Sequence, residues 1–326
     1  MLRELKEALE RLKITNRDKV LAKRYGYLPY MIARYREMLG NPVPLLKAFE
    51  EEPPNTIFCN PIKGSCNELV KRLEKRGFKF EKVPWSPYCF EASKEPYSLS
   101  STPEHLAGWF YILDKASCLP PIVLDPKGRD RVADMAAAPG GKTVQLSVMM
   151  GLRGYLVSIE RNPKRAKALI SNIERMGLLN VKVIIDDASN ASKYGPFEKV
   201  LLDAPCTGEG VIGRDRSRKR SKGIDDLLLM HKVQVFLLNR AIDSLKVGGE
   251  VVYSTCSIAP EEDEAVIASI LEKRGDVEVT DSGEAGSPGI SEYLNLKFPF
   301  ASKCRRLWPH VHGSEGFFVC KLKRVG

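Results

Sequence analysis

The sequence lacks several features, each of which would have fixed a class. No apolar run approaches the roughly 20 residues of a membrane-spanning helix, so no membrane partner is expected. The opening residues, MLRELKEALERLKITNRDK, are dense in charge and have no apolar core of the kind a signal peptide needs. Eight cysteines, at 59, 66, 89, 118, 206, 256, 304 and 320, include no C-x-x-C pair, and no histidine stands at zinc spacing from them, so no metal is expected. The thiols are accordingly expected to be reduced, in a cytoplasmic chain that acts as a monomer. Internal repeats and low-complexity tracts are absent as well.

What is present begins with size and charge. A chain of 326 residues, 43% hydrophobic, suffices for an α/β core and a smaller domain. Lysine and arginine outnumber the acids 51 to 41, and this excess favours polyanionic partners. Leu2, Leu5, Leu9 and Leu12 recur at helical spacing, so residues 1–50 are expected to be a segment of short amphipathic helices, with GNPVP at 40–44 as the stop. Residues 51–100 are expected to form a small α+β, RRM-like unit. There NTIFC, FKFEKV and YCFEA supply strands, and a capping box of Ser65 and Glu68 opens a helix that Gly77 closes. No aromatic RNP-type run is found in it, which leaves its part in RNA binding open.

From about residue 131 strands alternate with helices. RVADMA, GYLVSIE, VKVIIDD, KVLLDA and GGEVVYSTC are separated by KTVQLSVMMG, PKRAKALISNIERMG and DDLLLMHKVQVFLLNRAIDSLKVGG. That alternation predicts a doubly wound parallel sheet, to which VEVTDS and a final GFFVCKLKR are added, the latter as an antiparallel closing strand.

The segment DMAAAPGGKT, residues 134–143, invites comparison with a phosphate-binding loop, and it fails. Such a loop needs a glycine where Ala136 stands, and the same alanines exclude the G-x-G-x-x-G of dinucleotide folds. What remains is a strand, a tight turn of small residues and a helix N-terminus, which suits a carboxylate as well as a phosphate. Glu160 ends the second strand, where a carboxylate accepts both hydroxyls of an adenosine ribose. Asp187 closes the third strand, within reach of an adenine amino group, and Asp203 ends the fourth. A single acid at a strand tip is ordinarily a solubility residue. Three on one sheet edge suit a ligand carrying a sulfonium, an ammonium and a ribose, and they repel a triphosphate.

Cys206, in LLDAPCTGEG, and Cys256, in VVYSTCSIAPEEDE, follow the fourth and fifth strands, at the sheet edge where open α/β folds bind ligands. A buried cysteine is most often a small hydrophobe, and Cys59, Cys118 and Cys320 are read so. Two thiols beside an S-adenosyl methyl donor suit methylation of cytosine at carbon 5, because a thiolate adding to carbon 6 turns the ring into a carbon nucleophile. Asp203 can assist at ring nitrogen 3.

DMAAAPGGKT, LLDAPCTGEGVI and VYSTCSIAPEEDE, with DKASCLPPIVLDP upstream and RRLWPHVHGSEGFFVCKL near the end, resemble the Nol/Nop/Sun family of RNA cytosine-5 methyltransferases, in an archaeal-type form, from about residue 55 onward. The resemblance implies a Rossmann-like S-adenosylmethionine-dependent methyltransferase domain over residues 101–326. It implies Cys256 as the nucleophile, Cys206 as the thiol that assists product release, and Asp203 as the active-site acid. The cofactor would be held by Ala136, Ala137, Ala138, Pro139, Gly140, Gly141 and Lys142, by Glu160 with Arg165 nearby, and by Asp187 and Asp203. Two positions depart from the family pattern: Ala136 replaces a usual cysteine and Leu113 a frequent glutamine. DNA cytosine methyltransferases share the chemistry but use the Pro-Cys thiol and a Glu-Asn-Val segment, which is absent here.

GRDRSRKRSK follows the Pro-Cys segment and brings Arg214, Arg216, Arg218, Lys219, Arg220 and Lys222. A charge run is usually a solvated loop; its place past the fourth strand makes it a candidate grip on an RNA backbone. The family points to transfer RNA first and ribosomal RNA second. A catalytically silent RNA-binding scaffold and a nucleotide hydrolase are the rival classes, and the paired thiols and the failed phosphate loop weigh against them.

Overall fold

The computed structural model describes residues 1–326, and the chain divides into two units, each drawn from three segments. The first comprises residues 1–53, 204–239 and 254–320; the second comprises 54–203, 240–253 and 321–326.

The second unit contains two sheets. The smaller uses β1 (Thr56–Cys59), β2 (Lys79–Lys82), β3 (Cys89–Lys94) and β4 (Phe110–Leu113) in the order β2-β3-β1-β4, with antiparallel pairing throughout. Its fourth strand lies beyond residue 100, the expected end of this unit. One helix, Cys66–Glu74, covers it through Leu69 and Leu73, which pack with Ile57, Phe78 and Phe110. Ser65 does cap that helix, accepting the Glu68 N–H at 3.1 Å, but the Glu68 carboxylate turns to Arg72 and only half of the expected capping box forms.

The larger sheet uses β5 (Arg131–Met135), β6 (Tyr155–Ile159), β7 (Val181–Ile184), β8 (Phe197–Asp203) and β9 (Leu245–Thr255). The order is β9-β8-β5-β6-β7, and β5 pairs in parallel with both β6 and β8, as β6 does with β7. These strands read as apolar runs rather than as alternating patterns because helices cover both faces of a parallel sheet; Val132, Ala133, Leu156, Val200 and Leu201 are essentially inaccessible. Helices Gly141–Met149 and Pro163–Met176 follow β5 and β6 as the alternation predicts. The long helix Ile224–Asp243 ends earlier than expected, since LKVGG already belongs to β9. The closing strand Phe317–Arg324 lies beside β9, and its first residues pair antiparallel with Arg305–Leu307.

The first unit gathers the N-terminal helices, Leu2–Glu10, Asn16–Tyr25, Pro29–Leu39 and Val43–Ala48, with the segments that follow β8 and β9. The helices do not stand alone as a 1–50 segment. Leu5 and Leu9 pack with Leu228, Ala265 and Phe298, and Tyr35, Leu45 and Phe49 pack with Ile212, Ile258 and Trp308. No helix is long and apolar enough to cross a membrane.

The expectation of reduced thiols is corrected. Cys59–Cys66, Cys89–Cys118 and Cys304–Cys320 are disulfides, with Cα separations of 5.7, 6.8 and 4.4 Å. Sequence spacing hid them because their partners meet through the fold. Cys304 and Cys320, for instance, flank the antiparallel pair Arg305 and Val319. Cys59, Cys118 and Cys320 are thus cross-links, not lone small hydrophobes. Only Cys206 and Cys256 remain outside disulfides.

Candidate active site

In the second unit the parallel register brings the predicted acids to one edge. Met135 pairs with both Ile159 and Leu202, and Ile159 with Ile184, so Glu160 and Asp203 each sit at a strand's carboxyl end. Asp187 lies a little further out, past the end of β7, where its carboxylate caps the turn at Ala188–Lys193 by accepting the Ser189 N–H at 2.9 Å. Hydrogen bonds from Ser189 hold its carboxyl below the usual range.

The loop between β5 and its helix turns sharply at Ala136, whose φ of 63° is a left-handed conformation, and at Gly140, with φ 113°. A cavity of about 230 Å³ opens there, lined among others by Tyr111, Leu113, Ala136, Pro139, Lys142 and Asp203. Glu160 is 2% exposed; its Oε1 accepts the Asn162 N–H at 2.8 Å, while Oε2 accepts no hydrogen bond and has the Arg165 guanidinium 3.5 Å away. Arg165 also donates to the carbonyl of Ala138 at 2.6 Å. Asp134, fully enclosed, takes a hydrogen bond from the Thr143 hydroxyl on Oδ2 and none on Oδ1. Burial pushes its carboxyl up to about 7, against the pull of Thr143 and Lys142. Lys142, expected only as part of the cofactor loop, binds Asp203 at 2.7 Å.

In the first unit the two thiols meet: Cys206 Sγ and Cys256 Sγ are 3.2 Å apart and half-buried. The loop after each cysteine is fixed by backbone contacts that require glycine. Gly210 donates to the carbonyl of Cys256 at 3.0 Å, and Gly316 donates to that of Gly210 at 2.9 Å. A Cβ at Gly210 would fall 2.0 Å from the Gly316 oxygen.

The structure buries all four acids of PEEDE, residues 260–264. Glu261 binds Arg34 through both oxygens, at 2.8 and 2.5 Å, and accepts the Tyr293 hydroxyl; Arg34 also meets Glu209 at 2.7 Å. Burial works to raise the Glu261 carboxyl, yet Arg34 holds it below its usual range. Glu264 pairs with Arg306 at 2.5 Å, and Asp263 Oδ2 makes an ion contact with the same guanidinium at 2.9 Å. Glu262 accepts the Thr207 N–H and hydroxyl, the Ser257 hydroxyl and the Gln234 amide. Burial pushes it up to about 7, against hydrogen bonds that favour its ionised form. The one sequence signal for this role was its adjacency to the Thr-Cys segment.

The basic run turns largely inward. Arg214 pairs with Glu315 and Glu52, at 2.8 and 3.0 Å, and Arg218 with Asp215 and the carbonyl of Thr207. Lys219 is buried, binding Glu50 at 2.5 Å and the carbonyl of Tyr25 at 3.1 Å, which removes it from any RNA-facing surface. Its charge was legible in the sequence and its partner, 169 residues away, was not. Arg216 and Arg220 remain exposed, though each donates to a backbone carbonyl, of Glu50 and Gly26. Lys222, partly exposed, stands 4.0 Å from Asp226.

A parallel sheet with a small-residue loop, acids at its strand ends and a juxtaposed thiol pair define an S-adenosylmethionine-type α/β methyltransferase, and comparison with known proteins narrows the class. Residues 121–323 match the model of the 16S rRNA methyltransferase RsmB/F family, and residues 28–114 match the N-terminal domain of 16S rRNA methyltransferase RsmF. The chain belongs to the RsmB/F family of Nol/Nop/Sun RNA cytosine-C5 methyltransferases. It is 37% identical over 312 residues to the 25S rRNA (cytosine-C(5))-methyltransferase nop2 of Schizosaccharomyces pombe, covering 92% of this chain and 51% of that protein. The chain thus spans about half the length of the curated relatives it matches. Among solved structures, a methyltransferase homologue from Pyrococcus horikoshii superposes with TM-score 0.88 at 36% identity, covering 95% of this chain and all of that one. NSun6 from the same organism, solved with SFG, gives TM-score 0.80 at 25% identity, over 90% of this chain and 97% of the other.

Proposed function

We propose that this chain methylates carbon 5 of cytosine in RNA, as a monomer in the cytoplasm, with Cys256 as the nucleophile and Cys206 as the thiol that aids release. The observation that carries the reading is the 3.2 Å approach of two thiols outside any disulfide, in a chain whose other six cysteines are cross-linked.

Cys256 adds to carbon 6 as a thiolate, its proton having been given up to solvent, and the electron pair of the carbon 5–carbon 6 double bond moves onto carbon 5. S-adenosylmethionine, when bound, supplies an electrophilic methyl group. Removal of the carbon 5 proton then restores the ring double bond and expels the Cys256 thiolate, and Cys206 as a thiolate is the neighbour that can take that proton. Asp203, held by Lys142, is assigned to ring nitrogen 3.

The residues present fit the cofactor. Glu160 keeps a buried oxygen without a hydrogen bond, as a ribose carboxylate must, and the 230 Å³ cavity lies against the loop from Ala136 to Lys142. Asp187 is assigned to the adenine, and Arg165 orients Glu160. Of the basic run, Arg216, Arg220 and Lys222 keep enough exposure to meet an RNA backbone.

Relatives named for ribosomal RNA move that substrate ahead of transfer RNA, reversing the order read from the sequence. An intracellular home for three disulfides is a habit of hyperthermophiles.

Bisulfite mapping of ribosomal and transfer RNA pools after incubation with the protein and S-adenosylmethionine tests the reading. New 5-methylcytosine is expected with the parent and none with Cys256→Ala. Cys206→Ala should instead accumulate a protein–RNA adduct that ribonuclease collapses on a denaturing gel. An adduct from Cys256→Ala and none from Cys206→Ala would exchange the roles. No methylation by the parent in either pool would leave an RNA-binding scaffold.

A further inference from the structure

The thiols reach 3.2 Å from two different loops, and neither side chain fixes the other. What ties the loops together lies one residue further along each. Thr207, next to Cys206, gives both its N–H and its hydroxyl to Glu262, at 2.7 Å each. Ser257, next to Cys256, gives its hydroxyl to the same carboxylate at 2.6 Å. Gln234 closes the set: its amide donates to Glu262 at 3.2 Å and to the carbonyl of Pro205, the residue before Cys206, at 2.8 Å. One fully buried carboxylate therefore holds a residue beside each thiol.

We infer that Glu262 is a positioning residue that sets the register of Cys206 against Cys256. Its chemistry suits that task better than a general stabilising one. Four donors converge on its two oxygens and none of them is a cation, whereas Glu261 and Glu264 on either side are bound by arginines. The carboxyl group accepts two of these hydrogen bonds from Thr207 in the Cys206 loop, one from Ser257 in the Cys256 loop and one from Gln234, so both loops are tied to a single group. An amide in its place keeps the shape and presents N–H groups to one side of the donor set, which must then turn away. The hydrogen bonds that Glu262 accepts from Thr207 and Ser257 come from the neighbours of the thiols.

The inference rests on the proposed roles of the thiols, and the test separates the two. Oxidised glutathione serves as the probe: two thiols give up two protons and two electrons, a Cys206–Cys256 bond forms, and the probe leaves as two reduced molecules. Peptide mapping by mass spectrometry follows the appearance of that bond, well below the unfolding midpoint of each variant. In Glu262→Gln the bond should form at least about tenfold more slowly than in the parent, and methyl transfer should fall about 100-fold in kcat with KM for RNA and cofactor held within about twofold, the pattern of misplaced reacting groups. A Glu262→Gln protein that is less stable but couples its thiols at the parental rate would make Glu262 purely structural and overturn the inference. Loss of methyl transfer with parental coupling would overturn it as well. Should Glu262→Gln fail to fold, Thr207→Val with Ser257→Ala removes two of the four hydrogen bonds from the partner side and is judged by the same coupling rate. A parent that couples its thiols yet methylates no RNA would sink the proposed function and leave the register to be decided by the coupling rates alone.

Discussion

Five carboxylates of the first unit, Glu209, Glu261, Glu262, Asp263 and Glu264, are buried, and each of their oxygens lies within 3.2 Å of a donor or a cation. In the second unit Asp134 and Glu160 are buried as deeply, yet Asp134 Oδ1 takes no hydrogen bond. Glu160 Oε2 takes none and has only the exposed Arg165 guanidinium at 3.5 Å, whereas Asp263 Oδ2, also without a hydrogen bond, has the buried Arg306 at 2.9 Å. Burial does not separate these groups; a close donor or buried cation on every oxygen does. A saturated acid has nothing left to offer a ligand, and its value lies in the elements it ties. An acid that costs desolvation and stays half-satisfied needs another reason to be there, and a bound ligand supplies one. The contrast assigns architecture to the first set and recognition to the second.

The harshest way to break this comparison is to remove a cation from the saturated set. Arg306→Met leaves Asp263 and Glu264 buried without their shared partner, and the expected loss is about 3–5 kcal/mol in urea unfolding. A loss below about 1 kcal/mol would mean that water reaches the network, and the division by satisfaction would collapse.

Proton linkage sharpens the other side. The Asp134 carboxyl, raised to about 7 by burial, holds its proton in the folded chain across a range where the unfolded chain has lost it. Stability from this group is complete below about pH 4 and disappears as pH rises to about 7, with a slope near 1.4 kcal/mol per pH unit between them. Asp134→Asn should take that one-proton slope out of the unfolding free energy measured at pH 5, 6 and 7. Glu262, raised for the same reason, contributes a similar slope that must survive in the variant. An unchanged slope would place the ionised form of Asp134 in the folded protein and weaken its standing as an unsatisfied acid.

A ligand-side measurement comes next. Glu160→Ala should weaken S-adenosylhomocysteine, followed by calorimetry, by about 1.5–3 kcal/mol, the worth of a charged hydrogen bond. Its effect on unfolding should be small, because only the Asn162 N–H and the exposed Arg165 guanidinium lose a partner. An affinity unchanged within error would leave Glu160 only the task of holding the turn at Asn162.

Much of the second unit was legible beforehand. Short apolar runs bounded by turns gave β5 to β8, and the strand ends gave Glu160 and Asp203, because in a parallel sheet position along the chain fixes position on the edge. Leu245–Val247 escaped because leucine, lysine and valine continue a helical pattern without a break, and Phe110–Leu113 escaped because the small unit seemed complete by residue 100. The first unit was far less legible. Nothing within PEEDE marks its acids for burial, because Arg34 and Arg306, 227 and 42 residues away from the acids they bind, are brought in by the fold. The three disulfides were hidden for the same reason, since proximity in space leaves no mark on spacing.

The smallest effect expected tests the part of the basic run that the fold has not consumed. Lys219 is committed to Glu50, so Lys219→Met should lower stability and say little about RNA. Arg216 and Arg220 spend one nitrogen each on backbone carbonyls and keep the rest of the guanidinium exposed. Replacing both by glutamine should leave the unfolding free energy within about 0.5 kcal/mol of the parent. If each meets a phosphate, the log-log salt dependence of RNA binding should flatten by about 0.7–0.9 per contact, because that many fewer counterions are released. Affinity for the cofactor analogue should not move. A parental salt slope would assign both arginines to holding their loop, and the inward turn seen in Arg214, Arg218 and Lys219 would then extend through the whole run.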